Sequence, residues 1–259
     1  MKNWAWKPTC VFSLSILIVA FIGLLTMGTT TPAFADSEQS ITSLPDDPTH
    51  EGDEPVPPLT KDEAAHLAQF QEPNLTPQEA GEIVASYAFV DPNHAIPKAL
   101  REKAIVYFDF NKDLIGNKDC LSVVDYSIAS RIPRFHIINM KTGEVVSVRV
   151  AHGEGSDPQD TGFASLFSNV PDSKTSSLGF YLTAEEYNGK HGQSCRLDGL
   201  SSTNSNVRQR GIVIHGANYV EDADVKPGRS WGCLAVSMEN HSRIVTALKD
   251  GSIILGTLH

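Results

Sequence analysis

The spacing of the apolar residues changes once along this chain, near Cys120, and that change constrains the fold more than any other feature. Before it, the spacing is helical. Thr60-Lys61-Asp62-Glu63 reads as a capping box, a hydroxyl at the N-cap and a carboxylate three residues on. Leu67 and Phe70 follow at helical spacing. Thr76-Pro77-Gln78-Glu79 repeats the device with proline at the first helical position, and Ile83, Val84 and Tyr87 complete an apolar face. A third helix is expected from about Pro97 to Phe110, packed through Leu100, Ala104, Tyr107 and Phe108. After Cys120 the period is two. Leu121 to Tyr126 is strand-like. Arg134 to Asn139 and Val145 to Ala151 flank a glycine-containing turn at Lys141 to Glu144, which predicts a β-hairpin. Gly179 to Leu182, Gly211 to Ile214 and Ile253 to Leu258 are further short strands. A helix capped by Ser237 is expected to run through Lys249 and stop at Gly251. The expected fold class is mainly β with α, an α+β arrangement. A largely antiparallel, β-rich domain at 113–259 follows a small helical flanking segment at 61–112.

The N-terminus reads as an address. Lys2 and Lys7 precede an apolar run, Val11 to Leu25, shorter than the roughly 20 residues of a bilayer span. Ala33-Phe34-Ala35 has the small-residue pattern of a cleavage site. Residues 1–35 are therefore expected to be a signal peptide, leaving no stable membrane span and an exported, periplasmic or cell-envelope protein. Residues 36–60 hold five prolines, seven acids and no Lys or Arg, and are expected to form a disordered linker. The formal charge is −10, and losing a leader with two lysines and no acid takes it to −12. That balance disfavours a large basic patch, so no nucleic-acid partner is expected.

Cys120, Cys195 and Cys233 remain after the leader. An odd count in an exported chain leaves at least one thiol free or paired with another chain. A Cys120–Cys195 bridge with Cys233 free is one economical arrangement; three reduced thiols fit the sequence as well. The cysteines are scattered and form no C-x-x-C pair, so no metal site and no cofactor are expected.

"GRSWGC", Gly228 to Cys233, contains two candidate nucleophiles. Read as G-x-S-x-G, it would need a buried strand before it and the remaining triad after it. Ala223-Asp224-Val225-Lys226-Pro227 is no such strand, and the 26 residues after Cys233 are too few. Read as a thiol in a tight turn, it has a partner. Ile212-Val213-Ile214 is an apolar strand ending in His215-Gly216, 18 residues before Cys233. A strand end holds an imidazole rigidly, and such a base raises the thiolate fraction of a thiol whose ordinary pKa is about 8.5. Gly232 lets the backbone approach a substrate. The amides of Trp231, Gly232 and Cys233 are candidates to hold a developing oxyanion, one such donor being worth about 2.7–4 kcal/mol. Ser230 reads as a support for the turn. His191 and His152, each before a glycine, are candidates to line a groove, and Tyr219 and Trp231 to wall it.

The succession of strand, His-Gly, loop, Ser-x-Gly-Cys and strand resembles the active-site motif of the L,D-transpeptidase (YkuD) family. "SSLGFYLT" (Ser176–Thr183), "YNGKHGQSCRLDGL" (Tyr187–Leu200), "RGIVIHGANYV" (Arg210–Val220) and "GRSWGCLAV" (Gly228–Val236) look like its murein L,D-transpeptidase catalytic-domain branch. The likeness runs from about Cys120 to Leu258. The resemblance implies a β-rich catalytic domain, a cysteine acyl-enzyme and peptidoglycan stem peptides as partners. Carried over, Cys233 attacks the carbonyl of the third stem residue and expels the terminal D-Ala, and His215 is the base. An amine acceptor then gives a 3–3 cross-link, and water gives L,D-carboxypeptidase activity. A relative that only grips wall peptides is the non-catalytic alternative. Many family members carry Arg or Asn two residues after the cysteine. This chain has Ala235 there, which leaves the donor carboxylate to Arg229, Arg196 or Arg210. The sequence sets no oligomeric state.

Overall fold

The computed structural model describes residues 56–259. The leader expected at 1–35, and all but the last five residues of the linker expected at 36–60, lie outside the described residues. Three helices come first, α1 (Lys61–Leu67), α2 (Pro77–Ser86) and α3 (Lys98–Phe110). Both capping boxes form. The Thr60 and Thr76 hydroxyls accept from the Glu63 and Glu79 amides, and the glutamate carboxylates accept from the threonine amides. Eight strands follow: β1 (Cys120–Asp125), β2 (Phe135–Asn139), β3 (Val145–Val148), β4 (Gly179–Gly189), β5 (Gly192–Gly199), β6 (Val213–Ala217), β7 (Leu234–Ser237) and β8 (Ile253–Thr257), with α4 (His241–Leu248) before the last.

The strands make one sheet in the order β3-β2-β1-β8-β4-β5-β6-β7. Alternation along each strand divides the apolar residues between its two faces. Ile253 and Leu255 of β8, with Phe180 and Leu182 of β4, pack against Leu100, Ala104, Tyr107 and Phe108 of α3. Ile254 and Tyr181 point the other way, into a core closed by Ile244, Val245 and Leu248 of α4. Burial on both faces explains why these strands read as nearly continuous apolar runs. The Tyr107 ring stacks on Phe180, with centroids 3.6 Å apart and planes 11° from parallel.

Most pairings are antiparallel, as expected, but β1–β8 and β6–β7 are parallel. Three details differ from the sequence reading. The short strand at Gly179 to Leu182 continues to Gly189 and forms a long hairpin with β5, whose polar residues mask the period. The last helix starts at His241, while Ser237 ends β7. Its hydroxyl accepts from the Asn240 amide at 3.3 Å and donates to Asp222 at 2.6 Å, so the polar signal marks the turn before the helix. Cys120 and Cys195 are separate free thiols. β8 and β4 stand between their strands, a separation of roughly 14 Å at the usual strand spacing and beyond disulfide reach. Burial pushes Cys120 up to about 11 and Cys195 up to about 12.

Candidate active site

His215 lies in the middle of β6, and Cys233 immediately precedes β7 at the sheet edge. The parallel register sets Ile214 beside Leu234 and His215 beside Ala235. Residues 18 apart in the chain therefore come to neighbouring positions on adjacent strands. Both are buried, at 0% and 1% exposure. His215 Nδ1 lies 3.0 Å from the Gly216 carbonyl oxygen. A carbonyl only accepts, so Nδ1 carries the proton and Nε2 keeps the lone pair a base needs. The Cys233 thiol donates to the Gly211 carbonyl at 3.7 Å. Lys190 and His191 form the turn of the β4–β5 hairpin, and the His191 ring lies on His215 with centroids 4.4 Å apart.

The turn before Cys233 needs its glycine. Gly232 has φ +119°, and a Cβ there would sit 2.6 Å from the Thr175 carbonyl oxygen and 2.8 Å from Ile212 Cδ1. Ser230 fills the inside of the turn, its hydroxyl donating to the Cys233 carbonyl at 2.8 Å and accepting from the Gly232 amide at 3.1 Å. One of the three amides the sequence offered to an oxyanion is thus engaged by Ser230. Trp231 carries the Lys174 ammonium 4.0 Å above its ring, and Lys174 pairs with Glu154 at 2.6 Å. Tyr219 packs under Gly228, whose amide donates to the Tyr219 carbonyl at 2.9 Å.

A buried polar cluster backs this turn. The Ser230 amide donates to the His152 carbonyl at 2.9 Å, and the Glu154 amide donates to the Ser230 carbonyl at 2.7 Å. The His152 ring is 1% exposed, which corrects the sequence picture of a loop histidine lining a groove. Arg134 Nη2 donates to its Nδ1 at 2.8 Å, so Nε2 carries the proton, 3.4 Å from Asp157 Oδ2. Burial pulls His152 down to about 4; Arg134 acts in the same direction and Asp157 against it. Burial pushes Asp157 up, but donors from Thr161 and Gly162, with His152, hold it below the usual carboxylate range. Sequence reasoning did not select Arg134 or Asp157. The one available signal was an arginine opening the apolar strand "RFHII".

The three candidate arginines separate. Arg229 donates from Nη1 to the Asp157 carbonyl at 2.6 Å, and its Nε lies 3.5 Å from Asp160. Arg196 lies over the Tyr187 ring at 4.1 Å, with its Nε 3.3 Å from Glu185. Arg210 backs the cysteine turn itself, with Nη2 3.3 Å from the position of a Gly232 Cβ. The structure therefore gathers Cys233, His215, His191, Ser230, Trp231, Gly232 and Arg210 around one turn, and ties Arg229 and Arg196 to carboxylates.

No curated protein matches this chain. Among solved structures, it is similar to an L,D-transpeptidase from Mycobacterium smegmatis at 13% identity and TM-score 0.34, over 54% of this chain and 58% of that one. It is similar to an L,D-transpeptidase from Xylanimonas cellulosilytica at 14% identity and TM-score 0.33, over 54% and 61%. It is also similar to the helical cell shape determining protein Pgp2 (K307A mutant) from Campylobacter jejuni at 14% identity and TM-score 0.34, over 63% and 57%. The chain thus spans about three fifths of the length of each. The L,D-transpeptidase catalytic domain (YkuD_2) matches residues 93–256, well over half of the sequence, and the chain belongs to that family.

Proposed function

We propose that this protein is a cysteine-dependent peptidoglycan L,D-transpeptidase, with Cys233 as nucleophile and His215 as base. The observation that carries the reading is the β6–β7 register, which sets the two residues on neighbouring strands beside a turn only glycine fits. His215 Nε2 takes the thiol proton as Cys233 Sγ attacks the carbonyl of the third residue of a stem tetrapeptide. The bond to the terminal D-Ala breaks, the same proton passes to the departing amine, and a thioester remains on Cys233. An acceptor amine then attacks the thioester, releases the thiol and gives a 3–3 cross-link. Water in its place gives a tripeptide. Ser230 holds the turn in shape, Trp231 and His191 border the nucleophile, and Tyr219 supports Gly228. A leader at residues 1–35 would deliver the protein to the cell envelope, where the substrate lies. Among the described residues, no helix is long and apolar enough to cross a membrane.

The test is incubation of the protein and its Cys233→Ala variant with disaccharide-tetrapeptides, read by product mass. The expected result is loss of D-Ala with wild type and none with the variant. Cross-linked dimers identify the transpeptidase outcome, and tripeptide monomers identify a carboxypeptidase. An untouched tetrapeptide in both samples would overturn the reading.

A further inference from the structure

Arg210 makes no ion pair among the described residues, and Asp172 acts on it only from beyond ion-pair distance. Its Nη1 donates to the Ser168 carbonyl at 2.9 Å and the Ser177 hydroxyl at 2.7 Å. Its Nη2 donates to the Thr175 carbonyl at 2.6 Å and the Ser173 hydroxyl at 3.3 Å. All four acceptors are neutral, and among the described residues no carboxylate lies within ion-pair distance. Arg208, two residues earlier, instead pairs with both Asp198 and Glu185. Keeping a half-buried guanidinium charged without a counter-ion is costly, unless function supplies the opposite charge.

The position indicates where that charge forms. Arg210 Nη2 and the Thr175 carbonyl both crowd the place a Gly232 side chain would take, so the guanidinium lies against the Gly232–Cys233 turn. The Cys233 thiol donates to the carbonyl of Gly211, the residue after Arg210. That bond favours the neutral thiol, because a carbonyl dipole repels a thiolate. A fixed positive charge there, beside the imidazolium that His215 becomes, would offset that dipole as the thiolate forms. We propose that Arg210 is the fixed counter-charge of the Cys233 thiolate, acting as a charge and not as a fork for the donor carboxylate. Both of its terminal nitrogens are already committed to the Ser168–Ser177 loop, so the planar pair of donors that grips a carboxylate is unavailable. Burial lowers the Arg210 pKa, and a negative charge on Cys233 opposes that shift, in keeping with the placement. The inference rests on the reading of Cys233 as nucleophile.

Other titratable groups surround the thiol. His215 comes from β6 and His191 from the β4–β5 turn. Tyr126 and Tyr181 come from the core beneath, Lys174 and Glu154 flank Trp231, His152 lies behind Ser230, and Asp172 bears on Arg210. A titration in which only residue 210 changes keeps all of these constant.

The experiment follows the ultraviolet thiolate absorbance of the whole chain against pH, with Cys233→Ala subtracted as the blank. The blank removes the signals of Cys120 and Cys195, whose thiols burial pushes up to about 11 and about 12. Arg210→Met is expected to raise the Cys233 midpoint by about one pH unit or more, and Arg210→Lys, which keeps the charge, by less than about half of that. If the Met variant does not fold, Arg210→Gln, which retains amide donors for the loop carbonyls, serves as the neutral variant. A neutral variant with an unchanged midpoint overturns the proposal, as does a Lys variant shifted as far as the neutral one. Tetrapeptide turnover is read separately. A wild type that shows the predicted titration but no turnover removes the proposed function and leaves the role of Arg210 standing.

Discussion

At Gly232, one hydrogen atom in place of a side chain decides whether the turn before Cys233 can exist. The φ of +119° is a region L side chains avoid, and the absent Cβ would meet the Thr175 carbonyl oxygen in the segment before β4. Gly232→Ala is expected to cost about 2 kcal/mol or more in stability. It should also reduce turnover at least about tenfold by displacing the thiol. Thermal unfolding and tetrapeptide turnover on the same samples check both parts. Ser230 acts at the same scale from the other side of the turn. Its hydroxyl engages Gly232 and Cys233 at once, so in the G-x-S-x-G string the serine braces the turn.

At the scale of elements, the helices and the site obey different rules. The capping boxes of α1 and α2 are closed between residues three apart, by groups that meet as soon as one turn forms. Thr76→Ala should therefore cost about 1 kcal/mol, measured by denaturant unfolding, and leave turnover unchanged because α2 packs on α3 in the core cluster that does not contain Cys233. The β6–β7 pair is the contrary case. A parallel pair needs a long connection, and residues 218–233 supply it. That connection carries the turn before Cys233, so the loop that makes the pairing possible also brings Cys233 to the strand beside His215. The segment preceding the Glu154–Ser156 3₁₀ turn braces this loop through main-chain bonds, with His152 locked between Arg134 and Asp157.

For the whole molecule, that locked histidine couples stability to pH. The folded chain holds His152 neutral down to about 4, whereas an unfolded histidine takes up its proton near 6.5. Between these values the unfolded state binds the extra proton. Stability is therefore complete above about pH 6.5 and falls as the pH drops towards 4, by about 3 kcal/mol from this group. Thermal midpoints across this range should show the fall, and His152→Gln should flatten it. His136, whose pKa burial also lowers, retains a share of the slope in that variant. The low Asp157 pKa adds a further loss as its carboxylate is protonated at still lower pH.

The sequence by itself determined whatever depends on near neighbours. The two capping boxes, the extent of α3, and the hairpin of β2 and β3 were legible, because their hydrogen bonds and periodicities lie within a few residues; His215, read as a strand end, instead lies in the middle of β6, which runs on through Gly216 and Ala217. The tertiary structure alone decided what depends on strand order. It separated Cys120 from Cys195 by two strands, paired β6 with β7 in parallel, and carried the β4–β5 hairpin beyond its apolar stretch until its His191 turn lay on His215. It also divided three equivalent-looking arginines into two with carboxylate partners and one without. An ion pair such as Arg229–Asp160 spans nearly seventy residues of chain, and no local pattern encodes it. The sheet brings such groups together, and burial then fixes which charges are compensated.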